Sequence, residues 1–204
     1  MIAVVDYGVN NVKSVVRALL AGGHAAELTA EPEVVRRAAR VLLPGVGNFG
    51  QGTTNLLRSG LGDAVRDAAA AGRPVMGICL GLQLCLERSD EALEARGLGL
   101  LPGRVRKLDV ALPVPHVGWA EVRATEPGRS HPMLRGMKGG EFFYHVHSYH
   151  PADLPDDAVL ATADYGYAFP TIVGQGNVVG AQFHPEKSQR AGIELLSAFA
   201  RWTP

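Results

Sequence analysis

Between Pro74 and Arg88 the chain reads PVMGICLGLQLCLER, an apolar run that breaks at Gly77-Ile78-Cys79-Leu80-Gly81 and resumes with helical character. The G-x-C-x-G spacing is that of a nucleophile elbow, and it constrains the fold severely. A strand must end, a helix must begin, and the two must pack so closely that no side chain fits at the flanking glycines. Cys79 is then expected in a strained backbone conformation with its side chain exposed. It sits at a helix N-terminus, where the partial positive charge favours thiolate and free N–H groups can hold an oxyanion. A cysteine at a strand end is ordinarily a small buried hydrophobe, but the paired glycines favour a nucleophile.

The chain before the elbow alternates strands and helices. Ile2 to Val5 is a continuous apolar run, as in a strand covered on both faces, and Asp6-Tyr7-Gly8 ends it. Asn10 or Asn11 is placed to cap a helix whose apolar positions Val12, Val15, Val16, Leu19 and Leu20 recur until Gly22-Gly23. A second strand is predicted over 24–28, a helix over 31–39 and a short third strand over 41–43. Such alternation predicts an α/β fold with a mostly parallel sheet.

After the third strand comes Pro44-Gly45-Val46-Gly47-Asn48-Phe49-Gly50. Glycines flanking Val46 at the carboxyl end of a strand let backbone N–H groups approach a ligand, and that edge is where open α/β sheets bind ligands. The loop fits neither G-x-G-x-x-G nor G-x-x-x-x-G-K-[ST], so dinucleotide and P-loop chemistry are set aside. Residues 53–71 look helical with a break near Ser59-Gly60. Within the elbow helix, Gln83 lies one turn after Cys79 on the same face, within reach of a ligand attached to sulfur. Cys85 faces elsewhere and reads as packing.

From Gly103 the texture changes to short alternating stretches at 104–108, 117–123 and 141–147, with no convincing helix before Gln189. Antiparallel hairpins are expected to extend the sheet or cover its edge. His145, His147 and His150 invite a metal reading, but no Cys or carboxylate completes a ligand set. Asn177 to Phe183, NVVGAQF, is another apolar strand, followed at once by His184-Pro185-Glu186-Lys187-Ser188. Proline is expected to hold this segment extended and to present His184 and Glu186 with little freedom, as suits a base and the carboxylate that orients it. An amphipathic helix with Ile193, Leu195, Leu196, Phe199 and Trp202 apolar ends the chain.

If Cys79 and His184 both follow strands of one parallel sheet, they share its carboxyl edge with the Pro44 to Gly50 loop. Cys79 then attacks a carbonyl, His184 accepts and returns the proton, and Glu186 orients His184. The N–H groups of Val46 or Gly47, with that of Leu80, hold the oxyanion. Acyl transfer is the reaction class. Composition narrows the substrate: 20 basic and 20 acidic residues leave a net charge of zero, so nothing points to nucleic acid or a membrane surface. No apolar run approaches the roughly 20 residues needed to span a bilayer. Two cysteines make no disulfide framework, and MIAVVDYG has no leader pattern, so the cytoplasm is the expected compartment. At 204 residues, 47% of them hydrophobic, one domain over 1–204 is expected.

PGVG, GICLGLQL and HPEKS together resemble the class I (triad) glutamine amidotransferases. DYG at 6–8, HVGW at 116–119 and FHPEKSQRAG resemble in particular the glutaminase subunits of imidazole glycerol phosphate synthases, over essentially the whole chain. The resemblance implies a flavodoxin-like three-layer amidotransferase fold and hydrolysis of glutamine through a γ-glutamyl thioester on Cys79, with no cofactor and no metal. It implies that ammonia passes to a separate (β/α)₈ cyclase subunit, which makes imidazole glycerol phosphate and an aminoimidazole carboxamide ribotide for histidine and purine synthesis. By motif, Gln83 binds glutamine with help from His147, Ser148 and Tyr149, while Asn11, Trp119, Tyr144 and Lys187 lie near the cyclase contact. Asn10 departs from the glycine usual after DYG, and asparagine tolerates the left-handed backbone expected there. The family's PGVG segment can turn its donor N–H away until the cyclase binds its own ligand, so the isolated chain is expected to be a poor glutaminase. The rivals are another ammonia-channelling glutaminase, such as that of pyridoxal phosphate synthase, whose PGGES-like loop PGVGN matches poorly, and a cysteine hydrolase of the same fold.

Overall fold

The computed structural model describes residues 1–204, and its first half alternates as the apolar periodicity predicts. β1 (Ile2–Val5), α1 (Val12–Ala21), β2 (Ala26–Thr29), α2 (Pro32–Arg37) and β3 (Arg40–Leu43) lead into the helix pair α3 (Phe49–Ser59) and α4 (Leu61–Ala70). β4 (Val75–Ile78) and α5 (Leu80–Cys85) then form the elbow. Every residue of β1 and β4 is buried, because helices cover both faces of the sheet. Ile2, Val4, Leu42 and Met76 point to one face and pack with Val15 and Leu19 of α1. Their neighbours Ala3, Val5, Val41 and Val75 point to the other and pack with Val35 of α2 and Leu61 and Val65 of α4.

The second half comprises β5 (Arg88–Ser89), β6 (Arg104–Lys107), β7 (His116–Ala124), α6 (Glu126–Ser130), β8 (Glu141–His147), β9 (Tyr149–Ala152), β10 (Val159–Asp164), β11 (Ala168–Gln175), β12 (Val178–Ala181) and α7 (Gln189–Arg201). The main sheet runs β2-β1-β3-β4-β12-β11-β10-β7-β8. It is parallel from β2 to β12 and antiparallel beyond, so the late strand β12 is inserted beside β4 and completes the parallel half. α7 packs Leu195, Leu196 and Phe199 on the α1 side, which gives the three layers of a flavodoxin-like α/β fold. β5, β6 and β9 form a separate small sheet. No helix is long and apolar enough to cross a membrane.

Several local expectations are corrected. α3 begins at Phe49 rather than near residue 53, because the Asn48 side chain accepts from the Gln51 N–H at 3.1 Å and Glu91 accepts from the Phe49 N–H at 2.8 Å. Asn11 stands at the N-cap of α1 but makes no side-chain cap bond, and the left-handed residue is Asn11 (φ 74°), not Asn10. The helix-free stretch before Gln189 contains α6, where Thr125 caps the Gly128 N–H at 3.2 Å and Pro127 fits the first turn. β10 and β11 show no clean alternation, and Pro170 within β11 argues against a strand. It is accommodated opposite Thr162, beside a register shift in the ladder.

Candidate active site

At the elbow Cys79 adopts φ 52° and ψ −110°, the strained geometry that the flanking glycines predict. A Cβ on Gly77 would come within 2.6 Å of the Leu82 Cα, and one on Gly81 would overlap the Leu43 carbonyl oxygen. Side chains are excluded there because β4 and α5 are in direct backbone contact with each other and with the end of β3. The expected exposure of the side chain is not found: Cys79 is only 6% exposed. Cys85 is fully buried, and desolvation pushes its thiol up to about 12, so it is inert at neutral pH.

Part of the covering of Cys79 comes from β12, whose parallel register with β4 pairs Ala181 with Ile78. The ladder runs one step further, since the Cys79 N–H donates to the Ala181 carbonyl at 2.8 Å. Gln182 therefore stands level with Cys79, and its Nε2 lies 3.7 Å from the sulfur. Gln182 escapes a motif search, although one polar residue in the apolar run VVGAQF is a visible anomaly. It is fully buried, and its own N–H donates to the Thr171 carbonyl of β11 at 2.8 Å.

Two residues beyond Gln182, the end of β12 presents His184. Pro185 does not extend the segment; it opens a 3₁₀ turn over Pro185–Lys187, because the fixed proline φ suits the first position of such a turn. The turn folds Glu186 back so that its Oε1 lies 2.7 Å from His184 Nδ1. The same oxygen accepts from the Asn11 side-chain amide at the start of α1. Glu186 Oε2 and His184 Nε2 are buried without partners, and Nε2 is the nitrogen left free for chemistry. Burial works to lower the imidazole, but Cys79 and Glu186 together outweigh it and hold His184 up at about 9. β8 anchors this turn, with the His184 N–H donating to the Tyr144 carbonyl at 2.9 Å and the Tyr144 N–H to Ser188 Oγ at 3.0 Å.

The Pro44 to Gly50 loop lies at the same sheet edge. Tyr7 of the D-Y-G turn donates its hydroxyl to the Pro44 carbonyl at 2.8 Å, and a Cβ on Gly45 would collide with that hydroxyl. Gly47 has φ 129°, open to glycine alone. The Leu80 N–H, one of the expected oxyanion donors, donates to the Gly45 carbonyl at 3.2 Å. The chain thus occupies that donor with its own loop. Val46 is half-buried and Gly47 exposed, both beside the elbow.

The expected glutamine contacts lie together but are engaged with one another. Gln83 is buried, and its Nε2 donates to the Tyr149 carbonyl at 3.2 Å and to Gln182 Oε1 at 3.1 Å. The Tyr149 carbonyl also lies 2.9 Å from His147 Nδ1, and the Ser148 carbonyl accepts from the Leu108 N–H at 2.9 Å. Neighbouring histidines form a packed cluster: His145 contacts the Phe143 carbonyl and Thr171 Oγ1, both at 3.0 Å, and His150 contacts the Pro151 carbonyl and the Tyr167 hydroxyl, both at 2.8 Å. Burial drives His145 down to about 3 and His147 well below its ordinary value, so both are neutral. On the outside, Trp119 meets Tyr144 edge-on at 6.1 Å and the Lys187 ammonium lies 5.8 Å from the Tyr144 ring. Trp119, Tyr144 and Lys187 make one surface patch; Asn11, expected with them, is turned instead onto Glu186.

The model of the family "Glutamine amidotransferase class-I" matches residues 3–201. The chain is 49% identical over 200 residues to the imidazole glycerol phosphate synthase subunit HisH of Symbiobacterium thermophilum, covering 98% of this chain and 93% of that one. It is 44% identical over 198 residues to the subunit of the same name from Moorella thermoacetica, covering 97% and 93%. Among solved structures, PurLQS from Thermotoga maritima superposes with a TM-score of 0.77 at 19% identity, covering 97% of this chain and 96% of that one. A crystal structure of glutamine amidotransferase gives 0.73 at 21%, covering 95% and 98%; at these identities the two establish the fold alone. By the family model and by relatives this similar over almost the whole chain, the protein belongs to the class-I glutamine amidotransferases, and within them to the HisH subunits of imidazole glycerol phosphate synthase.

Proposed function

We propose that this chain is the glutaminase half of an imidazole glycerol phosphate synthase, hydrolysing glutamine and delivering ammonia to a cyclase subunit in the cytoplasm for histidine biosynthesis. The whole of residues 1–204 acts as one amidotransferase domain. The observation that carries the reading is the meeting of Cys79 and His184 at the ends of adjacent parallel strands, with Glu186 2.7 Å from the far nitrogen of His184.

Cys79 first gives its proton to His184, whose imidazole is held up at about 9 and keeps it, and the thiolate then attacks the γ-carbonyl of glutamine. His184 Nε2 then protonates the departing nitrogen, which leaves as ammonia while the carbonyl re-forms as a thioester on sulfur. Water, deprotonated by His184, attacks that thioester; glutamate leaves and the proton returns to the thiolate. Glu186, held by Asn11, keeps Nδ1 of His184 protonated and Nε2 facing the reaction. Leu80 and the Val46-Gly47 segment hold the oxyanion once the Gly45 carbonyl has moved off the Leu80 N–H. Gln83, His147, Ser148 and Tyr149 border the glutamine site. Trp119, Tyr144 and Lys187 face the cyclase, which suits an aromatic patch carrying one cation.

The test is co-purification with a cyclase subunit, followed by glutamine turnover coupled to ribonucleotide product. Stoichiometric glutamate and cyclised product, both lost in Cys79→Ala, are expected. Product formed from glutamine by the Cys79→Ala complex would overturn the reading.

A further inference from the structure

Gln83 has an expected role in holding substrate, yet its amide is already spent, and the way it is spent determines the orientation of Gln182. The Tyr149 carbonyl only accepts, so the group of Gln83 that lies 3.2 Å from it is the NH₂. That same NH₂ lies 3.1 Å from the Gln182 amide, which must therefore present its oxygen. Gln182 then has one orientation left, with its own NH₂ facing the Cys79 sulfur at 3.7 Å. A flipped amide would place two NH₂ groups against each other and an oxygen against the sulfur. Both glutamines are buried, so water cannot relieve either conflict.

The backbone holds this arrangement in place. β12 is ladder-bonded to β4 on one side, and the Gln182 N–H donates to Thr171 of β11 on the other. Gln83 itself rides on the first turn of α5, with its N–H donating to the Cys79 carbonyl at 3.1 Å. The relay Tyr149 carbonyl, Gln83, Gln182, Cys79 thus closes on the elbow it serves.

We propose that Gln182 is a further catalytic residue, a neutral donor that stabilises the Cys79 thiolate. Gln83 is its positioning residue and acts on the sulfur through it. A hydrogen bond to an ion is worth about twice a neutral one, so the donor acts chiefly when sulfur carries charge: before attack and on expulsion of the thiolate during thioester hydrolysis. An amide donor adds no charge and needs no proton, so it leaves His184 free for acid–base work. The proposal rests on Cys79 being the nucleophile of the glutaminase.

The full-length chain is alkylated with iodoacetamide at a series of pH values, and modification is read by peptide mass spectrometry so that Cys79 is counted apart from Cys85. Gln182→Met keeps length and removes the donor; at pH 7 it is expected to slow Cys79 alkylation about ten- to a hundredfold. The deficit should close toward pH 10, above the ordinary cysteine range, where the thiolate forms without the donor, a pH signature that loss of packing alone would not produce. Gln83→Met leaves Gln182 present but free to flip, and should produce a smaller deficit of the same form; it decides the matter if Gln182→Met does not fold. Equal rates at pH 7 in a folded variant overturn the role of Gln182. The nucleophile reading is tested apart from this by the cyclase complex: product formed from glutamine in Cys79→Ala overturns that reading, whereas equal alkylation rates overturn only the role of Gln182, so the two failures are told apart.

Discussion

Asn11 and Glu186, 175 positions apart, are joined by a hydrogen bond from the Asn11 amide to the carboxylate oxygen that also faces His184. The N-cap residue of α1 thereby supports the proposed triad, whose members come from far along the chain. It also explains why Asn11 gives up capping its own helix, since its side chain is committed elsewhere.

Asn11→Gly isolates that contact, because glycine adopts φ 74° freely and only the amide is lost. With Oε2 already unpartnered, Glu186 would keep His184 as its sole partner. The expected cost is about 1–3 kcal/mol in urea unfolding, from a buried charge losing a donor. Glutaminase kcat in the cyclase complex should also fall, by roughly tenfold, as the imidazole loses its fixed tautomer.

The bond between the Leu80 N–H and the Gly45 carbonyl occupies a donor that the proposed oxyanion site requires. Losing one such donor costs about a hundred- to a thousandfold in kcat. The isolated subunit is therefore expected to hydrolyse glutamine slower than the cyclase complex by about that factor, with the complex measured in the presence of its ribonucleotide. Equal steady-state rates would show that the bond imposes no restraint.

His184, held up at about 9 by Cys79 and Glu186 against the effect of burial, stabilises the fold in its protonated form. Its folded value lies above the unfolded one of about 6.5, so its contribution is fully present below pH 6.5 and is lost as pH rises through about 9. In Cys79→Ala one of the two raising partners is gone, and the His184 titration, followed by NMR of the ring, should move down. Denaturation midpoints compared at pH 6 and pH 9.5 should then differ less in Cys79→Ala than in the wild type.

Trp119 is 47% exposed and packs edge-on against Tyr144 beside Lys187. Half of its surface is already in water, so Trp119→Ala should leave the thermal midpoint of the free subunit nearly unchanged. An aromatic anchor at a protein interface commonly carries a large share of binding, and cyclase affinity should fall at least about tenfold by titration calorimetry. Unaltered affinity would move the interface off this patch.

Much of the site is legible in the sequence because its signals are local. The elbow announces itself through two glycines whose need is steric, and the H-P-E run places a carboxylate two residues from an imidazole. Even there the local geometry differs from expectation: Pro185 opens a 3₁₀ turn, and that turn brings Glu186 onto Nδ1. The position of β12 is not local information, and neither are β10 and β11, whose patterns are irregular because they lie in mid-sheet and β11 contains Pro170.

By itself the sequence determined the α/β alternation, the strained turn at Cys79 and the residue types for acyl transfer, since each depends on spacing within a few residues. Only the tertiary structure decided that β12 lies beside β4, and with it the level placement of Gln182 against Cys79 and of Asn11 against Glu186. Strand order is set by which apolar faces pack across the whole chain, and no window of a few residues contains that.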